Sequence, residues 1–597
     1  MKGARRSARL IRILFLDGWR ASPGWMTAVT LLLLLGSISS TCYPLGYRLL
    51  VDGALEGDTT TAAWGVALVA GLLALGWALT AIGATESMTL SDRIARYRTA
   101  ELIRLIGGVG GLEHLERHEY LANVEQINAN RRQLSAAPRQ LLSNVSGVAR
   151  IVALLVLLAL VSPWLLLLPL SAIPPLLADR FAKRIAKGAE DETAYPRRLA
   201  GMLFGLASEA GSAAEVRSYG LAPTLERRHA ELTAEVDRRS LSGALGVLAV
   251  QSVGWTLYAA CLMGAIAFVV IGAVDAGTSI GTVLMAVSLI RRSRNQLAAQ
   301  TAGSGQLIST LNTADRLLWL EDHAAAERAE AGTLPPPARL ERGIAVRGVS
   351  FRYPGTEADV LLDLDFELPA GQTVALVGEN GSGKTTLAKL LLGMYRPTTG
   401  EILVDGMPLT ALDLDAWRER GTAAFQDFAR FQLPAVESIG VAHLPGRDDH
   451  DAAHLALDRA GFADLPEQLP DGLATRVGTA YTEGHNLSGG QWQRLALGRA
   501  MRRQRALLTI LDEPTASLDP VAEYALFRRY AEGARRYAEE TGGVTVLVSH
   551  RLSTARMADR IVYLDAGRVL ESGPHDELIA AGGRYAELFE LQAAAYR

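Results

Sequence analysis

A glycine-rich loop at residues 378–385 contains the residue types that bind phosphate groups. Its run GENGSGKT fits the pattern GxxxxGK[ST], follows an apolar strand-like run at 373–377 and precedes a helical run at 386–393. Glycines let backbone N–H groups close around phosphate oxygens, and the N-terminus of the helix adds a positive dipole. Lys384 is expected to bridge the β- and γ-phosphates of ATP, and the Thr385 hydroxyl to reach Mg²⁺. The predicted ATP-binding residues of this loop are Gly378, Glu379, Asn380, Gly381, Ser382, Gly383, Lys384, Thr385 and Thr386.

Two adjacent acids end a second candidate segment, ALLTILDEP at 506–514. The apolar run 507–511 is typical of a buried strand, which would place the acids at its tip. Asp512 is then expected to hold Mg²⁺ through water, and Glu513 to polarise an attacking water. A solvated loop end is the alternative, but the glycine-rich loop in the same chain favours a hydrolytic site. We therefore predict Mg²⁺-dependent hydrolysis of ATP, with Glu513 as a catalytic residue.

The elements that position these residues follow a proline-rich break, GTLPPPA, at 332–338. Beyond it, apolar β-type runs alternate with helical runs, a pattern typical of βαβ units and a parallel sheet. The sequence predicts a linker over 326–339 and an α/β nucleotide-binding domain over 340–597.

Composition indicates a different environment for the first half. The chain has 597 residues, of which 49% are hydrophobic and 21% charged, and its mean hydropathy is +0.15. This is too apolar for an ordinary soluble enzyme. A net charge of −3 does not indicate the excess of basic residues that is typical of nucleic-acid-binding proteins. The two cysteines, Cys42 and Cys261, lie in apolar runs and exclude a disulfide framework or a cysteine-rich metal site.

Residues 1–325 are predicted to form a transmembrane domain. A helix of about 20 charge-free residues crosses the hydrocarbon core of a bilayer, and several stretches are long enough. A turn at Ser162 and Pro163 would divide one long run into two spans. A buried core helix is the alternative for any single run. The six predicted spans lie near 21–47, 59–85, 141–161, 164–178, 240–274 and 276–296.

The basic residues predict the orientation of these spans. Six Lys and Arg residues precede the first span, and the segments 86–139 and 179–239 are long and arginine-rich, so these parts are expected in the cytoplasm. Segment 51–58 has acids but no Lys or Arg and is expected outside. The N-terminus and the nucleotide-binding domain then lie in the cytoplasm. The expected location is therefore the cytoplasmic (inner or plasma) membrane. A bacterial source is expected because arginine greatly outnumbers lysine, which indicates a genome rich in G and C.

Four arginines fall inside or at the ends of the predicted spans. One interpretation is a basic boundary whose side chains extend to the membrane surface. The other is a path for anionic substrates, because a charge near the bilayer midplane usually faces a cavity. These residues are Arg150, Arg291, Arg292 and Arg294.

The motifs together resemble a known family. The run LSGGQ at 487–491, with the glycine-rich loop and LDEPT at 511–515, resembles the ATPase domain of ABC transporters. The resemblance implies that Tyr353 stacks on adenine, that Gln426 contacts Mg²⁺ and that His550 contacts the γ-phosphate. It also implies that one subunit's signature closes over the ATP of another. The residues implied to act in trans are Leu487, Ser488, Gly489, Gly490, Gln491 and Asp519.

Over nearly the whole chain, the order of segments resembles an ABC half-transporter of the exporter type. The implied fold is an α-helical membrane domain with long cytoplasmic extensions, followed by an α/β P-loop ATPase domain with a helical subdomain. Segments 111–123 and 214–223 are the candidate coupling helices. The implied partner is a second half-transporter, either an identical or a related chain.

The resemblance implies ATP-driven export by alternating access. Besides membrane lipid, the expected substrate is an amphipathic, lipid, peptide or drug-like molecule. An importer with exporter architecture and an ATP-gated regulator or channel are the alternatives.

Overall fold

The computed structural model describes residues 2–161, 163–209, 211–276, 279–503, 505–513, 528 and 539–595. The chain divides into two compact units. We call residues 1–101 and 127–317 the helical unit, and residues 102–126 and 318–597 the α/β unit. This division differs from the predicted boundary near 325, because segment 102–126 groups with the C-terminal residues.

Long helices build the first 329 residues. Two 3₁₀ helices, Glu113–Glu116 and Pro163–Ala172, interrupt them. The helices are α1 (Lys2–Ala21), α2 (Pro23–Glu56), α3 (Thr59–Gly107), α4 (His118–Ala129), α5 (Arg131–Val161), α6 (Ile173–Ser208), α7 (Ala213–Ser218), α8 (Ala222–Ala276) and α9 (Ile280–Ala329).

In the described part of the chain, four helices are long and apolar enough to cross a membrane: Pro23–Glu56, Thr59–Gly107, Arg131–Val161 and Ala222–Ile271. Large apolar side chains on them point outward. Trp77 in α3 and Leu160 in α5 are each 78% exposed. An apolar surface of this kind is expected where lipid covers the protein.

The predicted fourth span, 164–178, begins in a different conformation from the one expected. It starts as the 3₁₀ helix Pro163–Ala172, and α6 follows from Ile173. Proline lacks an N–H donor, and Pro163, Pro169 and Pro174 therefore interrupt the α-helical hydrogen-bond pattern here. The predicted turn at Ser162 lies outside the described residues. The predicted sixth span, 276–296, corresponds to the start of α9 at Ile280.

Small residues allow close packing inside the helical unit. A Cβ atom on Gly65 of α3 would lie 2.3 Å from the backbone nitrogen of Leu50 in α2. A Cβ atom on Gly254 of α8 would lie 2.7 Å from the Cβ of Ala178 in α6. Either substitution would force two helices apart, so glycine is required at both contacts.

Two sheets form the centre of the α/β unit. A four-stranded antiparallel sheet has the order β2-β1-β4-β5, and a six-stranded sheet has the order β10-β9-β3-β8-β7-β6. Strands β9, β3, β8, β7 and β6 are parallel, and β10 is antiparallel to β9. The strands are β1 (Gly343–Phe351), β2 (Leu361–Pro369), β3 (Thr373–Gly378), β4 (Thr399–Val404), β5 (Met407–Pro408), β6 (Gly421–Ala424), β7 (Leu508–Asp512), β8 (Val544–Ser549), β9 (Arg560–Asp565) and β10 (Arg568–Gly573).

Helices of the α/β unit cover the sheets and form a separate helical subdomain. That subdomain has its own apolar core, to which Ile439, Leu457 and Leu495 contribute, each fully buried. The helices described here are α10 (Lys384–Leu391), α11 (Leu414–Glu419), α12 (Ala435–Gly440), α13 (His450–Arg459), α14 (Gly489–Ala500), α15 (Leu552–Ala555), α16 (His575–Ala581) and α17 (Arg584–Ala595). The predicted fold class is confirmed.

The predicted linker, 326–339, is only partly extended. Helix α9 continues to Ala329, four residues into the linker. Further on, the backbone nitrogen of Leu334 donates to Ala411 O at 3.0 Å, and Asp413 N donates to Leu334 O at 2.7 Å. The second part of the linker is therefore bound along the surface of the α/β unit.

Candidate nucleotide site

The parallel strands of the six-stranded sheet bring the predicted catalytic segments to one edge. Strands β3, β8, β7 and β6 are neighbours and run in the same direction. Their carboxyl ends lead respectively into the glycine-rich loop, His550, Glu513 and the loop with Gln426. In α/β sheets, ligands bind at the carboxyl ends of the strands. The segments that lie 37 to 172 residues apart in sequence therefore meet where a ligand would bind.

The glycine-rich loop depends on glycine at two positions in particular. Gly378 has a φ of 154°, and a Cβ atom there would lie 2.0 Å from the carbonyl oxygen of Leu564. Gly383 has a φ of 97°, and a Cβ atom there would lie 2.4 Å from Leu361 Cδ2. Side chains are excluded at both positions, so the backbone can turn tightly into α10.

Lys384 occupies the centre of the loop. Its Nζ donates to Gly378 O at 3.0 Å and to Glu379 O at 2.8 Å, and the residue is only 6% exposed. Burial lowers the pKa of Lys384, while Glu513 and Asp512 act in the opposite direction. The ammonium group is thus held by carbonyl oxygens at the place where phosphate oxygens would replace them.

Tyr353 lies beside the first turn of α10. Its hydroxyl is 2.9 Å from Thr386 Oγ1, and its ring packs edge-to-face on Phe351 and Tyr395, with centroids 5.0 and 5.4 Å away. The side chain is half-buried. An aromatic ring next to a phosphate-binding helix can stack on a purine base.

Asp512 ends β7 as a buried carboxylate. The residue is 1% exposed, and among the described residues neither carboxylate oxygen has a hydrogen-bond partner. Burial raises the pKa of Asp512, and the nearby Thr385 hydroxyl and Lys384 ammonium act in the opposite direction. A buried carboxylate whose oxygens lack a partner of good hydrogen-bond geometry fits a cation nearby, because a metal ion or its bound water would satisfy them.

Glu513 and His550 form a pair. Oε1 of Glu513 lies 3.0 Å from His550 Nδ1. The backbone of Glu513 has a φ of 45°, uncommon for a residue with a side chain, and its N–H donates to Val548 O at 3.0 Å. A carboxylate oriented by an imidazole is an arrangement suited to general base catalysis.

The signature run forms the N-terminus of α14. Ser488 caps the helix: its Oγ accepts from Gln491 N at 3.2 Å, and Gln491 Oε1 accepts from Ser488 N at 3.0 Å. Ser488 and Gly489 are exposed, while Leu487 is buried in the helical subdomain. Since a hydroxyl that accepts can still donate its proton, Ser488 and the first amides of α14 can bind an anion.

The remaining predicted site residues are Gln426, Asp519 and the four arginines of the helical unit, and only some of them lie near another predicted residue. Gln426 is exposed in the loop after β6. Asp519 lies outside the described residues. In the helical unit, the guanidinium of Arg292 lies 4.3 Å from the centre of the Tyr43 ring, and Arg292 is close enough to Arg150 for their charges to interact. Arg291 is exposed, and the side chain of Arg294 lies outside the described part of the chain.

Sequence reasoning missed a set of contacts between segment 111–116, which we call the docking segment, and the residues after α10. Tyr395 Oη donates to Glu116 Oε1 at 2.8 Å, and Arg396 N donates to Glu113 Oε1 at 2.9 Å. The backbone of Leu112 also donates to Met394 O at 2.8 Å. The available signal in the sequence was the pair of acids, Glu113 and Glu116, at the two ends of the run EHLE. For the other predicted coupling helix, 214–223, the structure gives helix α7 over Ala213–Ser218.

Known proteins resemble this chain at several levels. Residues 361–516 match the family described as ABC transporter. The ATP-dependent lipid A-core flippase of Bordetella avium is 36% identical over 334 residues, covering 56% of this chain and 54% of the relative. The subtilin transport ATP-binding protein SpaT of Bacillus subtilis is 31% identical over 357 residues, covering 60% of this chain and 55% of the relative. The chain thus spans about half the length of the curated relatives it matches.

The likeness of the fold extends over nearly the whole chain. A solved structure of a bacterial Atm1-family ABC exporter with ATP bound superposes with a TM-score of 0.73, covering 96% of this chain and 98% of that one at 23% identity. Residues 361–516 thus match the ABC transporter family, and the chain as a whole has the fold of an ABC exporter.

Proposed function

We propose that this chain is one half of an ATP-driven exporter of the cytoplasmic membrane. The observation that carries the proposal is the convergence of Lys384, Asp512, Glu513 and His550 at one edge of the six-stranded sheet. A scaffold would need neither the buried carboxylate of Asp512 nor the Glu513–His550 pair. These groups together are what hydrolysis of a nucleoside triphosphate requires.

Each group has a role in this proposal. Backbone N–H groups of the glycine-rich loop and Lys384 bind the phosphates, and Tyr353 stacks on the adenine. Glu513 orients the attacking water and accepts its proton, and His550 contacts the γ-phosphate.

Mg²⁺ fits the buried carboxylate of Asp512. The described residues contain no cluster of three or more His, Cys, Asp or Glu side chains suited to a metal. This agrees with the usual coordination of Mg²⁺, which binds few protein ligands together with phosphate oxygens of the nucleotide. Thr385, Gln426 and Asp512 would hold the ion, which when bound neutralises charge on the phosphates.

The signature run suggests a dimer. Ser488 and the exposed N-terminus of α14 offer hydrogen-bond donors, and they would close over the ATP held by a second chain. Gly490, Gln491 and Asp519 would belong to the same interface. The second chain is either a copy of this one or a related half-transporter.

The helical unit supplies the path for the substrate. We place six spans near 21–47, 59–85, 141–161, 164–178, 240–274 and 276–296, within a transmembrane domain over 1–325. The linker is 326–339 and the nucleotide-binding domain 340–597, with the N-terminus and this domain in the cytoplasm. The relatives are named for flipping lipid A-core and for transport of subtilin, which supports an amphipathic lipid or peptide as substrate.

The test measures ATPase activity of this chain, purified alone in lipid nanodiscs, with the particle mass determined on the same sample. Glu513→Gln should reduce turnover by roughly 100-fold or more while ATP still binds. Turnover that depends on Glu513 in a particle of two copies would establish a homodimer. Normal turnover of Glu513→Gln would overturn its role, and an inactive monomer would indicate a missing partner chain.

A second measurement separates export from import. In inside-out vesicles, ATP is added on the ATPase side, and fluorescent lipid A-core or subtilin is the probe. Accumulation inside the vesicles supports export. ATP-dependent loss of preloaded probe would support the importer, and an ATP-dependent ion current would support a channel.

A further inference from the structure

The side chain of Gln592, in α17, forms two hydrogen bonds with the segment that carries His550. Its Nε2 donates to the backbone oxygen of His550 at 3.0 Å, and its Oε1 accepts from the backbone nitrogen of Leu552 at 3.0 Å. One carboxamide thus spans the backbone from residue 550 to residue 552. An amide group satisfies a donor and an acceptor in one plane, so this contact restrains both position and orientation.

Helix α17, which carries Gln592, is held in place by buried side chains. Tyr585 is fully buried, and Leu588 and Phe589 pack against the same apolar cluster as Leu552 and Ala555. Tyr585 Oη also lies 2.8 Å from His575 Nδ1. Since these residues anchor the helix one to two turns before Gln592, the carboxamide is presented from a packed element rather than from a loose loop.

The imidazole of His550 has little packing of its own. Its side chain is 48% exposed, whereas that of Glu513 is 15% exposed. The ring is placed by its contact with Glu513 Oε1 at 3.0 Å and by the course of its backbone. The backbone contact with Gln592 therefore bears directly on where the imidazole lies.

We propose that Gln592 is a positioning residue for ATP hydrolysis: its carboxamide holds the backbone around His550 so that the imidazole meets Glu513 and the γ-phosphate. This rests on the proposed function, in which Glu513 and His550 act on ATP. The hydrogen bonds of the Gln592 side chain go to the backbone of residues 550 and 552, so in this proposal it acts only through His550. A misplaced catalytic group loses rate rather than binding.

The experiment compares Gln592→Met with Glu590→Ala in the full chain in nanodiscs. Methionine keeps the length of the side chain and favours helix, so it removes only the two hydrogen bonds. Glu590 is an exposed residue of the same helix. We expect kcat of Gln592→Met to fall about tenfold with KM for ATP unchanged, and Glu590→Ala to match the wild type.

A double variant separates positioning from general loss of structure. In a His550→Ala background, Gln592→Met should lower kcat no further, because the imidazole through which Gln592 is proposed to act is already absent. Hydrogen exchange supplies a readout independent of catalysis: the Leu552 amide should exchange faster in Gln592→Met than in Glu590→Ala. A wild-type kcat for Gln592→Met, or effects that add in the double variant, would overturn the inference. Absence of Glu513-dependent turnover in a wild-type particle of two copies would instead overturn the proposed function.

Discussion

The hydroxyl of Tyr395 donates a 2.8 Å hydrogen bond to Oε1 of Glu116. This contact joins the docking segment to the ring that packs edge-to-face on Tyr353, 5.4 Å away between centroids. Burial raises the pKa of Tyr395, and the neighbouring Glu116 raises it further. The phenol therefore remains protonated and donates this bond throughout the physiological pH range. Tyr353, proposed to stack on adenine, and the docking segment thus share Tyr395 as a direct neighbour.

Tyr395→Phe tests whether this contact couples ATP use to transport. The substitution keeps the ring and removes a hydrogen bond to a charged acceptor, worth roughly 1.5–3 kcal/mol. We expect basal ATPase activity to persist, while stimulation by a transported probe is lost. The measurement is ATPase rate with and without lipid A-core or subtilin. Glu119→Ala, an exposed change just beyond the docking segment, is the control, and equal stimulation in both variants would contradict the prediction.

His114 predicts a dependence of stability on pH. The residue is 5% exposed and packs on Tyr120, with ring centroids 4.7 Å apart. Burial lowers the pKa of His114 and His323 lowers it further, while Glu327 and Glu113 act in the opposite direction. Between this lowered pKa and the ordinary value of about 6.5, the folded state binds fewer protons than the unfolded state. The stabilisation is complete above that ordinary value and is lost as pH falls through this window.

The measurement is the apparent melting temperature from about pH 7.5 to about pH 5.5, across the range where histidine titrates. The wild type should melt at lower temperature as the pH falls. His114→Phe, which keeps an aromatic ring but cannot titrate, should flatten this dependence. His118→Phe, the same change at an exposed histidine, should keep the wild-type slope. An unchanged slope in His114→Phe would refute the assignment.

Lys384→Ala should weaken the binding of ATP itself. The ammonium group already lies within hydrogen-bond distance of Gly378 O and Glu379 O at the centre of the loop. Its loss removes a charge-assisted contact to phosphate, and we expect affinity to fall by a factor of about 10 or more. Equilibrium binding of a fluorescent ATP analogue measures the change. Lys187→Ala removes an exposed lysine from α6 and should bind as the wild type does; equal affinities of the two variants would contradict the role.

The arginines of the helical unit make a separate prediction. Arg150 lies near Arg292, whose guanidinium stacks on Tyr43 at 4.3 Å. Two cations held close together in the helical unit would suit an anionic substrate group. Arg150→Gln combined with Arg292→Gln should abolish transport of lipid A-core in vesicles but leave basal ATP hydrolysis intact. The exposed Arg291→Gln is the matched control. Undiminished transport in the double variant would favour a purely boundary role.

Local sequence patterns were enough to propose the nucleotide site, because the relevant physics is local. A turn that excludes side chains needs glycine, so Gly378 and Gly383 were recognisable from spacing alone. The strand ending in Asp512 was equally visible. The predicted spans stay predictions, and the fourth of them begins in the 3₁₀ helix Pro163–Ala172, where prolines interrupt the α-helical pattern.

Contacts between distant segments were invisible in the sequence. Glu116 and Tyr395 are 279 residues apart, and Gln592 is 42 residues from His550. Glu116, Tyr395 and Gln592 belong to no motif, since a glutamine or tyrosine on a helix or loop usually has no special role. The resemblance had suggested a coupling helix at 111–123, and the structure groups the longer segment 102–126 with the α/β unit.

The sequence by itself determined which residues are the candidates for the phosphate and water chemistry, because the ligand dictates their types and spacing. It also determined which half of the chain is apolar enough for a membrane. Only the tertiary structure decided how those residues are held. It shows the 3.0 Å contact between His550 and Glu513, the two hydrogen bonds between Gln592 and the backbone of residues 550 and 552, and the hydrogen bond from Tyr395 to Glu116. These depend on how the strands and helices pack, and packing is a property of the whole fold rather than of any one segment.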